Sequence, residues 1–421
     1  MTAADRALDA ALASGLVDDA DTAVIMIDLD IVRRQYERAV AAFPPTAHHA
    51  VAIKSNPLVC VLSELAAWGA HAEAASAEEL LLARVAGFGD RTVWDSPAKT
   101  RREIHDALED PPGLTNVDSF AELERYPPGR TVRLGLRINP ERRPDTIASL
   151  ATGVSGSKFG VGISERERII EAFALEPRLR CLHVHSGSNS RSLDPMVEGV
   201  AAVVALADEI NSGAGKPQID TIDIGGGLPW SESADEPLSV ERYAAALRSA
   251  VPRLFDGTYR IVTEFGRYHH LGAGTTATRV EYVKQSGSSD IAVVHVGADS
   301  FVREVYDRDH WSLSLRRHGE LDSDAHAATS DSNESSARRV DVVGPLCFEG
   351  DFLERDTAGL DPVEGGWLMI DQTGANTFSL WSRHCSRAFP KVLLYEGADP
   401  AGTVRIGKDR QSALDAISAW S

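Results

Sequence analysis

The chain is poor in the features that mark several large classes of protein. Four cysteines, Cys60, Cys181, Cys347 and Cys385, form neither close pairs nor a metal-ligand spacing, so no disulfide framework and no bound metal is expected. Basic residues are in deficit. The 43 Lys and Arg against 62 Asp and Glu give a net charge of −19, the wrong sign for a phosphate backbone, and nucleic acid is not expected as a partner. No apolar run approaches the roughly 20 residues that span a bilayer. The first thirty residues also lack the basic start and apolar run of a secretory leader, so a cytoplasmic setting without membrane partners is the expectation.

What is present is length. With 421 residues, 43% of them hydrophobic, the chain can bury one large core or two ordinary ones. From about residue 48 to residue 264, short apolar runs alternate with helical patterns rich in Ala, Leu, Glu and Arg. The runs at 48–54, 70–75, 91–95, 114–118, 132–138, 180–186, 219–225 and 259–265 predict eight strands, the number that closes a parallel (β/α)8 TIM-like barrel. After the second run, Ser76 and Glu79 can cap a helix whose Leu80, Leu81, Ala83 and Val85 supply apolar contacts. Residues 235–255 predict another helix, with Tyr243, Leu247 and Val251 on one stripe and Pro252 at its end. Beyond residue 275 shorter alternating runs predict an antiparallel β domain. The expected division is a barrel at 29–275 and a β domain from 1–28 with 276–421, the latter interrupted by a polar surface loop at 320–337.

Chemistry-bearing residues stand at the ends of the expected strands, where barrels present catalytic groups. Lys54 ends the first and Glu73 the second. His185 to Ser188 follow the sixth, Gly225, Gly226 and Gly227 the seventh, and Glu264, Phe265, Gly266 and Arg267 the eighth. A lysine at a strand end is ordinarily a solvated charge, and a glycine triplet is as readily a plain turn. Three glycines beside a serine and an arginine on neighbouring strands, however, make a plausible phosphate cup, because backbone N–H groups can close on an anion where no Cβ intervenes.

In order along the chain, AIKSNP (52–57), GAHAEAASAEEL (69–80), SKFG (157–160), HVHSGS (183–188), DIGGGLP (223–229), EFGR (264–267) and GPLCFEGD (344–351) resemble the fold-type III pyridoxal-phosphate decarboxylases. That family includes the diaminopimelate, ornithine and arginine enzymes, and the resemblance runs from Val24 to Tyr395. The alanine racemases share the barrel and the lysine, but HVHSGS, GPLC and GGG together match the decarboxylase branch. The resemblance implies pyridoxal 5'-phosphate held on Lys54, with His185 stacked on its ring and Glu264 at the ring nitrogen. It implies phosphate contacts from Ser188, Gly225, Gly226, Gly227, Gly266 and Arg267, an acid near the lysine at Glu73, and a structural Asp223. Cys347 matches a proton donor supplied by the partner subunit, which implies a homodimer with shared active sites. Arg303 matches a carboxylate-gripping arginine, with a surface ion pair to Glu304 or Asp307 as the plain alternative.

Three departures from the family pattern stand out, and the first two bear on the substrate. Phe348 stands where relatives carry an acid, with Glu349 one place later. Asn376 replaces a tyrosine, and Phe265 replaces a proline, which is expected to change only the stiffness of the loop. A phenyl ring cannot neutralise a desolvated ammonium, so basic diamino acids are disfavoured unless Glu349 takes the role through a one-residue shift of the loop. The resulting expectation is a carboxy-lyase acting on an α-amino acid other than a simple basic diamino acid, with a neutral, acidic or carrier-linked distal part near Phe348, Glu349 and Asn376. The alternatives are another reaction at Cα (racemisation, elimination or rearrangement) or a non-catalytic pyridoxal-phosphate-binding protein.

Overall fold

The computed structural model describes residues 1–142, 145–147, 150–213, 217–287, 289–320 and 339–421. The surface loop expected at 320–337 therefore lies, apart from Glu320, outside the described residues. The chain divides into two compact units, Met1–Val32 with His270–Ser421, and Arg33–His269. Among the described residues no helix is long and apolar enough to cross a membrane.

After a first strand, β1 (Ala23–Asp28), which belongs to the other unit, the middle of the chain builds a closed parallel barrel. Its strands are β2 (His48–Ala52), β3 (His71–Ala74), β4 (Thr92–Trp94), β5 (Leu114–Val117) and β6 (Leu134–Asn139), followed by β8 (Leu179–Val184), β9 (Thr221–Asp223) and β10 (Arg260–Thr263). A two-residue strand, β7 (Val161–Gly162), is attached to the side of β6. Each strand pairs in parallel with the next, β6 passes to β8, and β10 returns to β2. These are the eight expected strands, shortened at their ends. Their side chains are almost wholly buried, which is why they read as continuous apolar runs.

Helices wrap this sheet on local signals. Ser76 caps Ala77–Ala86 by accepting from Glu79 N, and the Glu79 carboxylate reaches back to Ala75 N at 2.7 Å. The expected apolar face is narrower than the sequence suggests. Leu80 and Ala83 are buried, whereas Leu81 and Val85, four residues apart, share the outer face at 59% and 63% exposure. Val240–Ala250 is capped by Ser239, buries Tyr243 and Leu247, and stops before a 3-10 turn at Pro252–Leu254. Phe265, read from sequence as a change in loop stiffness, is a core residue. It is fully enclosed, with ring centroids of Phe43, Tyr243, Tyr268 and His269 at 5.8–6.4 Å.

The second unit is a β sheet. Its remaining strands are β11 (Gly274–Ser286), β12 (Ser289–Val294), β13 (Ser314–Arg317), β14 (Arg339–Val343), β15 (Phe352–Ala358), β16 (Trp367–Asp371), β17 (Lys391–Tyr395) and β18 (Arg405–Lys408). They run in the order β15-β14-β12-β11-β1-β17-β18, with β16 also on β11 and β13 on β16. Most pairs are antiparallel. Two joints depart from the expected pattern, since β1 runs parallel to β17 and β12 parallel to β14. The N-terminal helix Ala3–Ala13 is tied to this sheet by Arg316, 1% exposed, which meets Asp5 at 2.7 Å and Asp371 at 2.6 Å. Removing either carboxylate would leave a buried cation partly unmatched.

Replacing Phe265 with alanine empties a site lined by four aromatic rings, and a loss of about 3–5 kcal/mol in unfolding free energy is expected from urea titration of the variant. A loss below about 1 kcal/mol would contradict its place in the core.

Candidate active site

Strand direction gathers the site at one rim of the barrel. Lys54 sits in a 3-10 turn, Ile53–Ser55, immediately after β2. Its neighbours are locked, because Ser55 Oγ donates to Ala52 O at 2.7 Å and Asn56 N to Ile53 O at 2.9 Å. Lys54 is left with a side chain 46% exposed, its Nζ paired with the fully buried Glu73 carboxylate from β3. Burial disfavours the lysine charge, but Glu73, Glu264 and Asp95 outweigh it and hold the amine above its ordinary range. Burial pushes the Glu73 carboxyl up to about 8, with Lys54 pulling it back and the charges of Glu264 and Asp95 adding to the rise.

His185 follows β8. Gly226 N–H donates to its Nδ1 at 3.3 Å, so that nitrogen is the acceptor and the ring hydrogen sits on Nε2. Burial lowers its pKa and keeps the imidazole neutral, a state suited to lying against an aromatic ring. Thr152 Oγ1 fastens the loop behind it, donating to His185 O at 2.9 Å and accepting from Gly187 N at 2.8 Å. Ser188 is half-buried at the same edge, with Thr146 Oγ1 on its carbonyl at 2.7 Å.

The glycine triplet closes the gap between β9 and its neighbours. A Cβ on Gly226 would stand 2.4 Å from Glu264 O, and one on Gly227, at φ +103°, 2.6 Å from Gly187 O. Gly225 N donates to Asp223 at 3.0 Å, and the other Asp223 oxygen accepts from Asn116 Nδ2 at 2.9 Å. Asp223 is thus a strut within the barrel. Gly266 lies against Ser55 and Ala52, and the half-buried Arg267 opens the short helix Arg267–His270.

Glu264 follows β10 directly at 2% exposure, and neither of its carboxylate oxygens makes a hydrogen bond among the described residues. Glu73 Oε1 is likewise unsatisfied. A buried carboxylate without a hydrogen-bond partner, a reachable amine, a neutral flat imidazole and a cradle without Cβ atoms together fit a flat, protonated heterocycle carrying an aldehyde and a phosphate.

The comparisons bear on that fit directly. Residues 29–270 match the model of the pyridoxal-dependent decarboxylases, pyridoxal binding domain. The chain belongs to this family. It is 31% identical over 376 residues to a diaminopimelate decarboxylase of Pseudomonas aeruginosa, covering 86% of this chain and 84% of the relative. Another, from Aquifex aeolicus, is 28% identical over 403 residues, covering 93% and 90%. The diaminopimelate decarboxylase of Helicobacter pylori, solved with L-lysine, superposes with a TM-score of 0.81 at 25% identity, over 95% of this chain and 96% of that one. This protein is therefore a pyridoxal-phosphate-dependent amino-acid decarboxylase, which removes the two alternatives of another reaction at Cα and a non-catalytic binder.

One expectation is overturned. The reading of Phe348 as a bar to basic diamino acids does not stand, because the cited relatives are diaminopimelate decarboxylases. Its physical premise fails as well. The Phe348 ring is stacked on Tyr306 at 5.5 Å and packs against the β-sheet core, so position 348 serves packing and is no gauge of the substrate's charge.

The remaining expected residues lie on the β unit. Cys347 and Glu349 are exposed, and Phe348 half-buried, on the turn between β14 and β15. Asp351 clamps that turn, its carboxylate accepting from Ala298 N at 2.6 Å and Leu346 N at 2.8 Å. Arg303 is half-buried on the helix Val302–Tyr306, its guanidinium 4.5 Å from the Trp311 ring centroid. Burial lowers its pKa, with Glu304 and Asp307 opposing. Asn376, at φ +57°, is half-buried in the loop after β16.

Sequence reasoning missed Asp95, Asn116, Arg137 and His183, which line the barrel behind Glu264. A signal existed for one of them, since His183 and His185 are two apart in the run expected as a strand at 180–186, a spacing that puts both on one face.

Gly226→Ala should leave the far-UV circular dichroism spectrum intact but weaken pyridoxal-phosphate retention at least about tenfold, or 1.4 kcal/mol, by equilibrium dialysis. Unchanged retention would exclude the triplet from the cofactor cradle.

Proposed function

We propose that this decarboxylase acts on a basic diamino acid of the diaminopimelate class, with Lys54 and Glu264 as the pair that engages the cofactor. The observation that carries this reading is the meeting, in one barrel mouth, of a reachable amine and a buried carboxylate with no hydrogen-bond partner of its own. The names of the relatives support the substrate class.

In this reading Lys54 Nζ would hold the cofactor by condensing with its aldehyde, with loss of water, and Glu73 keeps that amine aimed at the mouth. When bound, pyridoxal phosphate supplies an electron sink for the pair left when the bond from Cα to its carboxylate breaks. Glu264 would hold a proton at the ring nitrogen and so keep the ring positive. His185 would cover one ring face, its lowered pKa avoiding a second positive charge there. Ser188, the backbone of Gly225, Gly226 and Gly227, Gly266 and Arg267 take the phosphate.

The Cys347 thiol returns a proton to Cα, supplied from the second subunit of a homodimer. Its exposure on a turn held by Asp351 supports that role. Arg303, preset by its stacking on Trp311, grips the substrate's distal carboxylate. Glu349, exposed beside Cys347, takes the distal ammonium in place of the acid absent at Phe348. Asn376 replaces the tyrosine of relatives with a shorter side chain and leaves room at the distal end.

Carboxyl-¹³C meso-diaminopimelate should release labelled CO₂ and leave a one-carbon-shorter diamine acid, with kcat/KM near or above 10⁴ M⁻¹ s⁻¹, roughly the usual lower range for an enzyme on its own substrate. Release from neutral or acidic amino acids alone would overturn the substrate class. Borohydride reduction followed by peptide mapping should place the cofactor on Lys54, and an adduct confined to another lysine would reject the assignment. Mixing inactive Lys54→Ala and Cys347→Ala subunits should recover about one quarter of wild-type activity, because about half of randomly exchanged dimers are mixed and each holds one intact site. No recovery in verified mixed dimers would reject the shared site.

A further inference from the structure

Behind Glu264 the barrel holds a row of charges that the steps above do not use. His183 is wholly enclosed, with Nε2 3.5 Å from Glu264 Oε2 and Nδ1 3.3 Å from Asp95 Oδ1. The other Asp95 oxygen faces Arg137 at 3.4 Å, and Arg137 reaches on to Asp118 at 3.7 Å. The ring of Phe159, 4.4 Å from the Arg137 guanidinium, covers this cation. Four barrel segments besides the end of β10 contribute, namely β8, β6 and the residues just after β4 and β5. No side chain in the row is more than 10% exposed.

We propose that His183 is the positioning residue for Glu264: an imidazolium fixed by Asp95, it keeps the Glu264 carboxylate ionised and turned toward the cofactor's ring nitrogen. This rests on Glu264 being the group that meets that nitrogen, as proposed above. The other neighbours of Glu264 are each tied to a second group and act on it less than His183. His185, at 3.8 Å, is neutral with its Nδ1 engaged by Gly226 N–H, and Lys54 is paired with Glu73. An isolated carboxylate at this depth would take up a proton, and a neutral carboxyl would be a poor partner for a pyridinium.

The groups facing His183 are Asp95, Glu264 and Asp223. Burial opposes its charge, yet these acids hold its pKa well above the ordinary histidine value. Burial likewise opposes ionisation of Glu264, but His183 first, then His185 and Lys54, hold it well below the ordinary carboxylate range. Arg137 has a place in the same scheme. Together with His183 it lowers the pKa of Asp95 against the effect of burial, and an ionised Asp95 is what keeps His183 charged. The row alternates in sign from Glu264 to Asp118, so each charge is opposed by the next.

The test uses full-length holoenzyme with ¹⁵N-labelled histidine, the His183 signals being assigned by their loss in His183→Gln. Both ring nitrogens of His183 should be protonated at pH 8.5, and a neutral ring there overturns the proposal without any variant having to fold. With ¹⁵N-labelled pyridoxal phosphate, the ring nitrogen should be protonated in wild type and shift toward the unprotonated position in His183→Gln. Asp95→Asn should shift it in the same direction by less. In His183→Gln, kcat should fall about ten- to a hundredfold with KM within about twofold, the scale known for residues that orient a ligating group. A merely structural His183 would lower the thermal midpoint and cofactor retention and leave the ring-nitrogen signal in place, and that pattern rejects the inference. Loss of the Lys54 adduct would reject the functional reading, whereas a neutral His183 in an enzyme that keeps the adduct rejects the positioning role alone.

Discussion

Four carboxyl groups, those of Glu73, Asp95, Asp223 and Glu264, point into one parallel barrel, and their mutual repulsion sets the terms for the site around them. They cannot all stay ionised in so little space. The barrel resolves the conflict by giving each a different neighbour. Burial and the charge of Glu264 raise Asp223 well above its ordinary range, and it is satisfied by Asn116 and the Gly225 amide. Glu73 is raised and faces Lys54. Asp95 and Glu264 are lowered and share His183 between them. Two acids raised and two lowered within one barrel are the pattern by which one fold holds acid and base chemistry together.

The glycines and the clamped turn address a different difficulty, that of holding backbone where side chains would ordinarily intrude. At the barrel rim, the missing Cβ atoms let the segment after β9 lie against the Glu264 carbonyl and the Gly187 carbonyl. On the β unit, Gly297 and Gly344 leave room for the Asp351 carboxylate, which a Cβ at either position would strike at 2.3 Å. In both places a short stretch is rigid because hydrogen bonds and close contacts fill space that larger residues would deny it.

How much of this is legible in the sequence depends on whether a residue acts through local pattern or through distant neighbours. The eight barrel strands are legible because both faces of each are buried and bounded by helical stretches. Lys54 and Glu264 stand out because they occur at strand ends. His183, Asp95 and Arg137 are hidden for the opposite reason. Each is a polar residue in or beside an apolar run, and only closure of the barrel brings them together from β8, β4 and β6. Leu81 and Val85 mislead in the other direction, since helical spacing admits a wider apolar face than this barrel covers. The largest error, at Phe348, came from weighing one side chain as a determinant of substrate charge when its ring is engaged with Tyr306.

The placement of β1 bears on how the chain is made. Its residues pair on one side with β11 and on the other with β17, so Val24 meets both Ala277 and Lys391. Every strand pair of the barrel, by contrast, is complete once Thr263 has been synthesised. During translation the barrel segment can therefore close while β1 still lacks both neighbours; β11 emerges next, but the edge that meets β17 stays unpaired until Lys391–Tyr395 has been made. A strand made among the first must wait for one made among the last, and for that interval the nascent protein depends on whatever shields an open sheet edge.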